Sequence, residues 1–296
     1  MKKTVYQSVN SPYLCFIKEN SEYFHQASLL LSEDKHLISW ALFSFLQGIN
    51  PFQCWQNKSG TEDFLSKWKS IVFYGEENDA DLSISLTAWL DLKDRFDINS
   101  QNTLINFIKG LEASSGTIRF PTFRELEFFL KLLGGSIALI SANVIYNDEI
   151  QAGDSEFLEP LSSLGAGILW WQLLKKTSLL ANEGKLFIPL DDLALFNCTE
   201  EDLLLNTKSE SIKSLTKFEL QKVNESLIFV KKNLSIYPKG IKDSVKFLCN
   251  KYEDEIHSAL RLNWLLSSPD PPVHKTSKSS WFINNVLNLN SNLLKK

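Results

Sequence analysis

Apolar residues recur at helical spacing along nearly all of this chain, and that regularity excludes most folds. Leu37, Trp40, Ala41, Phe43, Ser44 and Phe45 mark one helical face, and Phe64, Leu65, Trp68, Ile71 and Val72 mark another. Leu82, Leu86, Trp89, Leu90 and Leu92 continue the pattern, followed by Leu104, Ile105, Phe107 and Ile108. Phe218, Leu220, Val223, Leu227 and Val230 fit one long helix, and Val245, Leu248, Tyr252, Ile256, Ala259 and Leu260 fit a second. Residues three and four apart share one side of a helix, so each set forms a stripe that must be buried against a neighbour. The Val/Ile/Thr alternation that a half-buried strand requires is scarce. No internal repeat or low-complexity linker breaks the series, so a single all-α domain is predicted.

Its extent follows from turn chemistry. Loops are expected at 74–81, 147–156 and 267–280, the last carrying Pro269, Pro271 and Pro272. The domain is placed over residues 1–280, with 281–296, rich in Asn, Ser and Lys, as a loosely ordered tail. At 44% hydrophobic residues in 296, the chain can enclose a large core. The apolar runs near 128–145 and 164–174 are interrupted by Lys131 and Gln172 and read as buried helices, short of the ~20 apolar residues that span a bilayer. Met1-Lys2-Lys3-Thr4 is not followed by the apolar segment of a signal peptide. Cys15, Cys54, Cys198 and Cys249 lie far apart with no C-x-x-C, which fits reduced thiols and a cytoplasmic protein, with peripheral membrane contact left open. A net charge of −4 gives no footprint for nucleic acid.

Familiar catalytic constellations are missing. His25, His36, His257 and His274 lack metal-ligand spacing, and no nucleophile elbow or phosphate-binding glycine loop occurs. Asp91, Asp94 and Asp97 alternate with bases, as on a solvated face. Asp191-Asp192 reads as a turn-and-cap pair, and Thr199-Glu200-Glu201-Asp202 as a helix start, as does Ser59 or Thr61 before Glu62-Asp63. Gly134-Gly135 inside a helical pattern costs about 1 kcal/mol per glycine relative to alanine. It therefore signals close helix packing or a kink beside a cavity.

One longer pattern does carry a family resemblance. Leu164-Gly165 through Gly184-Lys185-Leu186-Phe187-Ile188-Pro189 resembles the second signature of the squalene/phytoene synthase family. Leu164, Gly165, Gly184 and Pro189 are kept, with Lys185 for an arginine and Phe187 for a tyrosine. At the family's working positions stand Leu169 for glutamine, Gln172 for asparagine, Lys175 for arginine, and Lys176 and Leu180 for two aspartates. The run Ala41–Cys54 is similar to the first signature, with Gln47 at the arginine position, Asn50 and Pro51 at the paired aspartates and Cys54 at the last one. Gly110-Leu111-Glu112-Ala113-Ser114, Glu125–Phe129 and Gly134–Ala138 extend the resemblance, which runs from about residue 10 to 262.

The resemblance implies an isoprenoid-synthase-like helical bundle around a central cavity. It also implies head-to-head condensation of two prenyl diphosphates on Mg²⁺, as in squalene, phytoene or hopanoid synthesis. Mg²⁺ needs oxygen ligands, and an ammonium and an isobutyl group at 176 and 180 repel or ignore it. The expected state is therefore a pseudoenzyme, with no catalytic residue, no metal ligand and no cofactor. Two other readings stay open: an active prenyl transferase, and a scaffold similar to the family's mitochondrial complex I assembly factor. If the fold holds, segments 43–54 and 169–180 should be antiparallel neighbours across the pocket, with Gln47 and Gln172 at its mouth. Phe43, Leu133, Ile137 and Leu169 would line the lower pocket, and Lys175 and Lys176 could meet an anionic head group. The expected partners are a prenyl or other lipid ligand, or another protein. Trp170 and Trp171 would decide between them by leaving the cavity open or filling it.

Overall fold

The computed structural model describes residues 11–49, 61–75, 83–146, 156–205 and 207–268. The tail boundary at 280 and most of the three expected loops lie outside them. Helices account for most of what is described: α1 Pro12–Asn20, α2 Glu22–Ser28, α3 Glu33–Gly48, α4 Thr61–Lys69, α5 Ile84–Leu92 and α6 Ile98–Ala113. Then follow α7 Phe123–Leu130, α8 Ser136–Ile145, α9 Leu158–Leu174, α10 Thr177–Asn182, α11 Leu190–Leu195, α12 Glu200–Leu204, α13 Glu210–Lys232 and α14 Lys239–Arg261. Among the described residues the one β feature is an isolated parallel bridge between Ile118 and Lys185.

Local chemistry starts the helices where the sequence suggests. Thr199 and Asp202 form a reciprocal capping box at α12, and Thr122 with Glu125 does the same at α7. Asp97, expected on a solvated face, caps α6 by accepting from the Ser100 amide at 2.8 Å. Asp91 accepts a 2.7 Å hydrogen bond from the Tyr13 hydroxyl, tying α5 to α1. Asp191 and Asp192 occupy the first turn of α11, and Asp192 also pairs with Lys222 on α13.

Large aromatic side chains close the N-terminal half. Phe45 on α3 is fully buried, with ring centroids 5.0 Å from Trp89 and 5.9 Å from Phe96 and Trp68. Such pairs contribute about 0.5–1.5 kcal/mol beyond the burial of their area. In the C-terminal half α9 is the central element, packed on α8 and α13, while α14 packs on α13 and α2. Gly134 and Gly165 let α9 approach the preceding helix backbone to backbone, because a Cβ on either would run into the other's carbonyl group.

A π-helical turn at Lys131–Gly135 joins α7 to α8, so Phe123–Ile145 is one continuous 23-residue helix. By length and composition alone this helix could cross a membrane: the mean hydropathy of its most apolar 18-residue window is 1.8. Half of that apolar window is buried inside the bundle, and its glycines serve the contact with α9.

Candidate binding cavity

Helix α9 presents a single stripe to a cavity. Leu161, Leu164, Gly165, Ile168, Leu169 and Gln172 all line it. Their spacing of three, one, three, one and three keeps them on one face. Phe43 and Gln47 of α3 and Ile137 of α8 line the same cavity, so five of the expected site residues converge: Phe43, Gln47, Ile137, Leu169 and Gln172. The space measures about 220 Å³. Both motif helices border this one cavity and share α8 as a wall.

Other expectations fail for identifiable reasons. Leu133 is fully buried but faces α6, where a Cβ on Gly110 would lie 2.7 Å from its Cδ2. Lys175 and Lys176 do not line the cavity, because α9 ends at Leu174 and the chain turns before α10. Lys175 is buried and places Nζ 3.3 Å from Glu255 Oε2 on α14. The same oxygen accepts from Trp171 Nε1 at 2.6 Å. Burial pulls the Lys175 ammonium below its ordinary pKa against the attraction of Glu255. Burial alone would raise Glu255, but the Lys175 charge and the Trp171 bond outweigh it and hold the carboxyl below its ordinary value. Lys176 is pulled down to about 7, chiefly by burial and then by Lys175, with Glu183 opposing. Leu180 is buried in the core. Asn50, Pro51 and Cys54 lie outside the described residues.

The two tryptophans do not fill the cavity. Trp170 stacks on Phe123 with centroids 5.0 Å apart, and Trp171 meets Trp264 edge-on at 5.8 Å. Neither belongs to the lining.

Sequence reasoning missed part of the wall. Ser141 and Ile145 of α8, Val245, Leu248 and Tyr252 of α14, and Phe24, Ala27 and Ser28 of α2 extend it. The α14 periodicity signalled a buried face without saying what that face enclosed. Among the described residues the lining holds no Asp, Glu, Lys, Arg or His. Nor do three His, Cys, Asp or Glu side chains anywhere among them group as a metal ion requires. The donor set around 172–180 therefore does not fit Mg²⁺.

The segments kept from the second signature have structural work. Gly184 adopts φ +78°, a left-handed conformation that glycine takes without strain. Its neighbour Lys185 is buried and donates to the carbonyls of Ser114 at 3.1 Å and Gly116 at 2.8 Å. Two quoted motifs are thereby held together next to the Ile118–Lys185 bridge.

A family profile described as squalene/phytoene synthase matches residues 17–253. The chain belongs to the squalene/phytoene synthase family. Among curated relatives it is 24% identical over 211 residues to the 15-cis-phytoene synthase of Synechocystis, covering 67% of this chain and 61% of that protein. It is 29% identical over 146 residues to the phytoene synthase of Arthrospira platensis, covering 47% of each. The chain thus spans less than two thirds of the length of these relatives. Among solved structures, a dehydrosqualene synthase superposes with a TM-score of 0.71 at 13% identity, covering 94% of this chain and 95% of that one. The squalene synthase HpnC of Alicyclobacillus acidocaldarius gives 0.66 at 10% identity, covering 86% and 94%. The all-α isoprenoid-synthase fold is shared.

Proposed function

We propose that this family member is a non-catalytic binding protein that holds one prenyl or similar lipid chain without Mg²⁺. The observation that carries the reading is an open apolar cavity with no charged side chain among its described lining residues. A prenyl diphosphate brings several negative charges, and burying them against neutral walls is strongly unfavourable. Lys175, at the position the family gives to an arginine, is committed to Glu255 and turned away from the cavity. A volume of about 220 Å³ lies below the ~300–1,000 Å³ of pockets that enclose drug-sized ligands, which suits one chain better than the two that a head-to-head condensation brings together. Trp170 and Trp171 pack outside the cavity, which favours ligand binding over a purely scaffolding role.

Titration with an environment-sensitive aliphatic fluorophore tests the reading, with one saturable, EDTA-indifferent site as the expected result. Product formation from farnesyl or geranylgeranyl diphosphate that requires Mg²⁺ and vanishes with EDTA would overturn it.

A further inference from the structure

We propose that the ligand carries a neutral hydroxyl head group, a prenyl-type alcohol, recognised by the side-chain carbonyl of Gln172. This rests on the binding role proposed above and specifies its ligand. Gln172 lines the cavity and is 4% exposed, and its Oε1 is buried with no hydrogen-bond partner. Its amide is hydrogen-bonded to the Tyr252 hydroxyl, which also lines the cavity, so the side chain is held in place while its acceptor stays unmet. A buried acceptor left unsatisfied is costly, and native structures pair such groups with protein, water or ligand.

The serine hydroxyls of the lining cannot fill that role, because their protons are already spent on backbone carbonyls. Ser28 donates to His25 and Ser39 to His36, each at 2.7 Å. Ser141 donates to Ile137 at 2.7 Å, and Ser244 to Ala27 at 2.8 Å. What the wall offers a ligand at Gln172 is therefore an unmet acceptor, beside the Tyr252 hydroxyl, which accepts from the amide and keeps its own proton. A diphosphate or carboxylate, itself an acceptor, would face that oxygen with no cation beside it. An alcohol donates one proton to it, adds no charge, and leaves its hydrocarbon chain against Phe43, Ile137 and Leu169.

Isothermal titration calorimetry with farnesol, farnesyl methyl ether and farnesyl diphosphate tests this on the full chain and on Gln172→Leu. The alcohol and the ether share their chain and its terminal oxygen, and differ in that a methyl group replaces the donated proton in the ether. Farnesol should bind the native protein about ten-fold more tightly than the ether, and more tightly than the diphosphate with or without Mg²⁺. In Gln172→Leu the gap between alcohol and ether should close while the affinity for the ether is kept. Equal binding of alcohol and ether by the native protein, a comparison that needs no variant to fold, would overturn the head-group assignment and leave the cavity as a binding site. Tighter binding of the diphosphate would overturn it as well. No binding of any of the three would instead remove the binding role on which it stands.

Discussion

Gly134 and Gly165 face each other across a helix contact that neither could make with a side chain, since a Cβ on either would meet the other's backbone carbonyl. The contact sits where the π-helical turn meets α9, and both glycines also line the cavity. The approach of two backbones thus sets the position of the stripe that includes Leu169 and Gln172.

Gly165→Ala should destabilise the protein by about 2–3 kcal/mol, because the obstacle is backbone and cannot rotate away. Gly167→Ala is the control: its Cβ would meet side chain and no backbone, Ser226 Oγ at 3.1 Å, Ser226 Cβ at 3.4 Å and Leu227 Cδ2 at 3.8 Å, and the substitution gains up to about 1 kcal/mol of helix propensity. Urea midpoints of the two variants should move in opposite directions.

Glu255→Ala strands the buried Lys175 ammonium and the Trp171 indole N–H, and should cost about 3–5 kcal/mol. Lys175→Met alone should cost less, because Glu255 keeps its bond from Trp171. Lys175→Met combined with Glu255→Gln should recover much of the loss, and a double-mutant cycle by chemical denaturation reads the coupling.

Glu219 gives a pH signature. Burial pushes its carboxyl up to about 8, with Asp192 adding to the rise and Lys222 opposing it. A folded-state pKa above the unfolded value of 4.5 means that the folded protein binds the extra proton between those two values. Its contribution to stability is therefore complete below about pH 4.5 and is lost as pH rises toward about 8. Thermal melts from pH 4 to 9 should show Glu219→Gln gaining on the native protein through that window and running parallel above it.

Ile137→Trp should fill the cavity and abolish binding of the aliphatic fluorophore while leaving the fold intact, since Ile137 is only partly buried beside empty space. Unchanged fluorophore affinity, alongside a native circular dichroism spectrum, would show that the probe binds elsewhere.

Much of this arrangement is legible in the residues. The buried faces of α13 and α14 follow from helical spacing alone, the start of α12 at Thr199 follows from its capping residues, and the run 164–174 reads as a buried helix. The quoted motifs, taken in order, lead to the family and through it to a bundle around a cavity. The identity of the side chains at 175, 176 and 180 also follows from sequence, and with it the poor fit to Mg²⁺.

Tertiary structure decided where those side chains point. A period of 3.6 residues extends the Gln172 stripe straight to Lys175 and Lys176, but α9 stops at Leu174 and the lysines leave the cavity. Lys175 instead finds Glu255, 80 residues further along the chain, a pairing that local spacing cannot encode. Leu133 belongs to an apolar run on which every face looks alike, and the space above Gly110 draws it toward α6. Trp170 and Trp171 are bulky in any alignment, yet stacking on Phe123 and the bond to Glu255 hold them outside the lining. Periodicity sets the angle between neighbours on one helix. Which face is buried, and against what, is settled by packing between segments far apart in the chain.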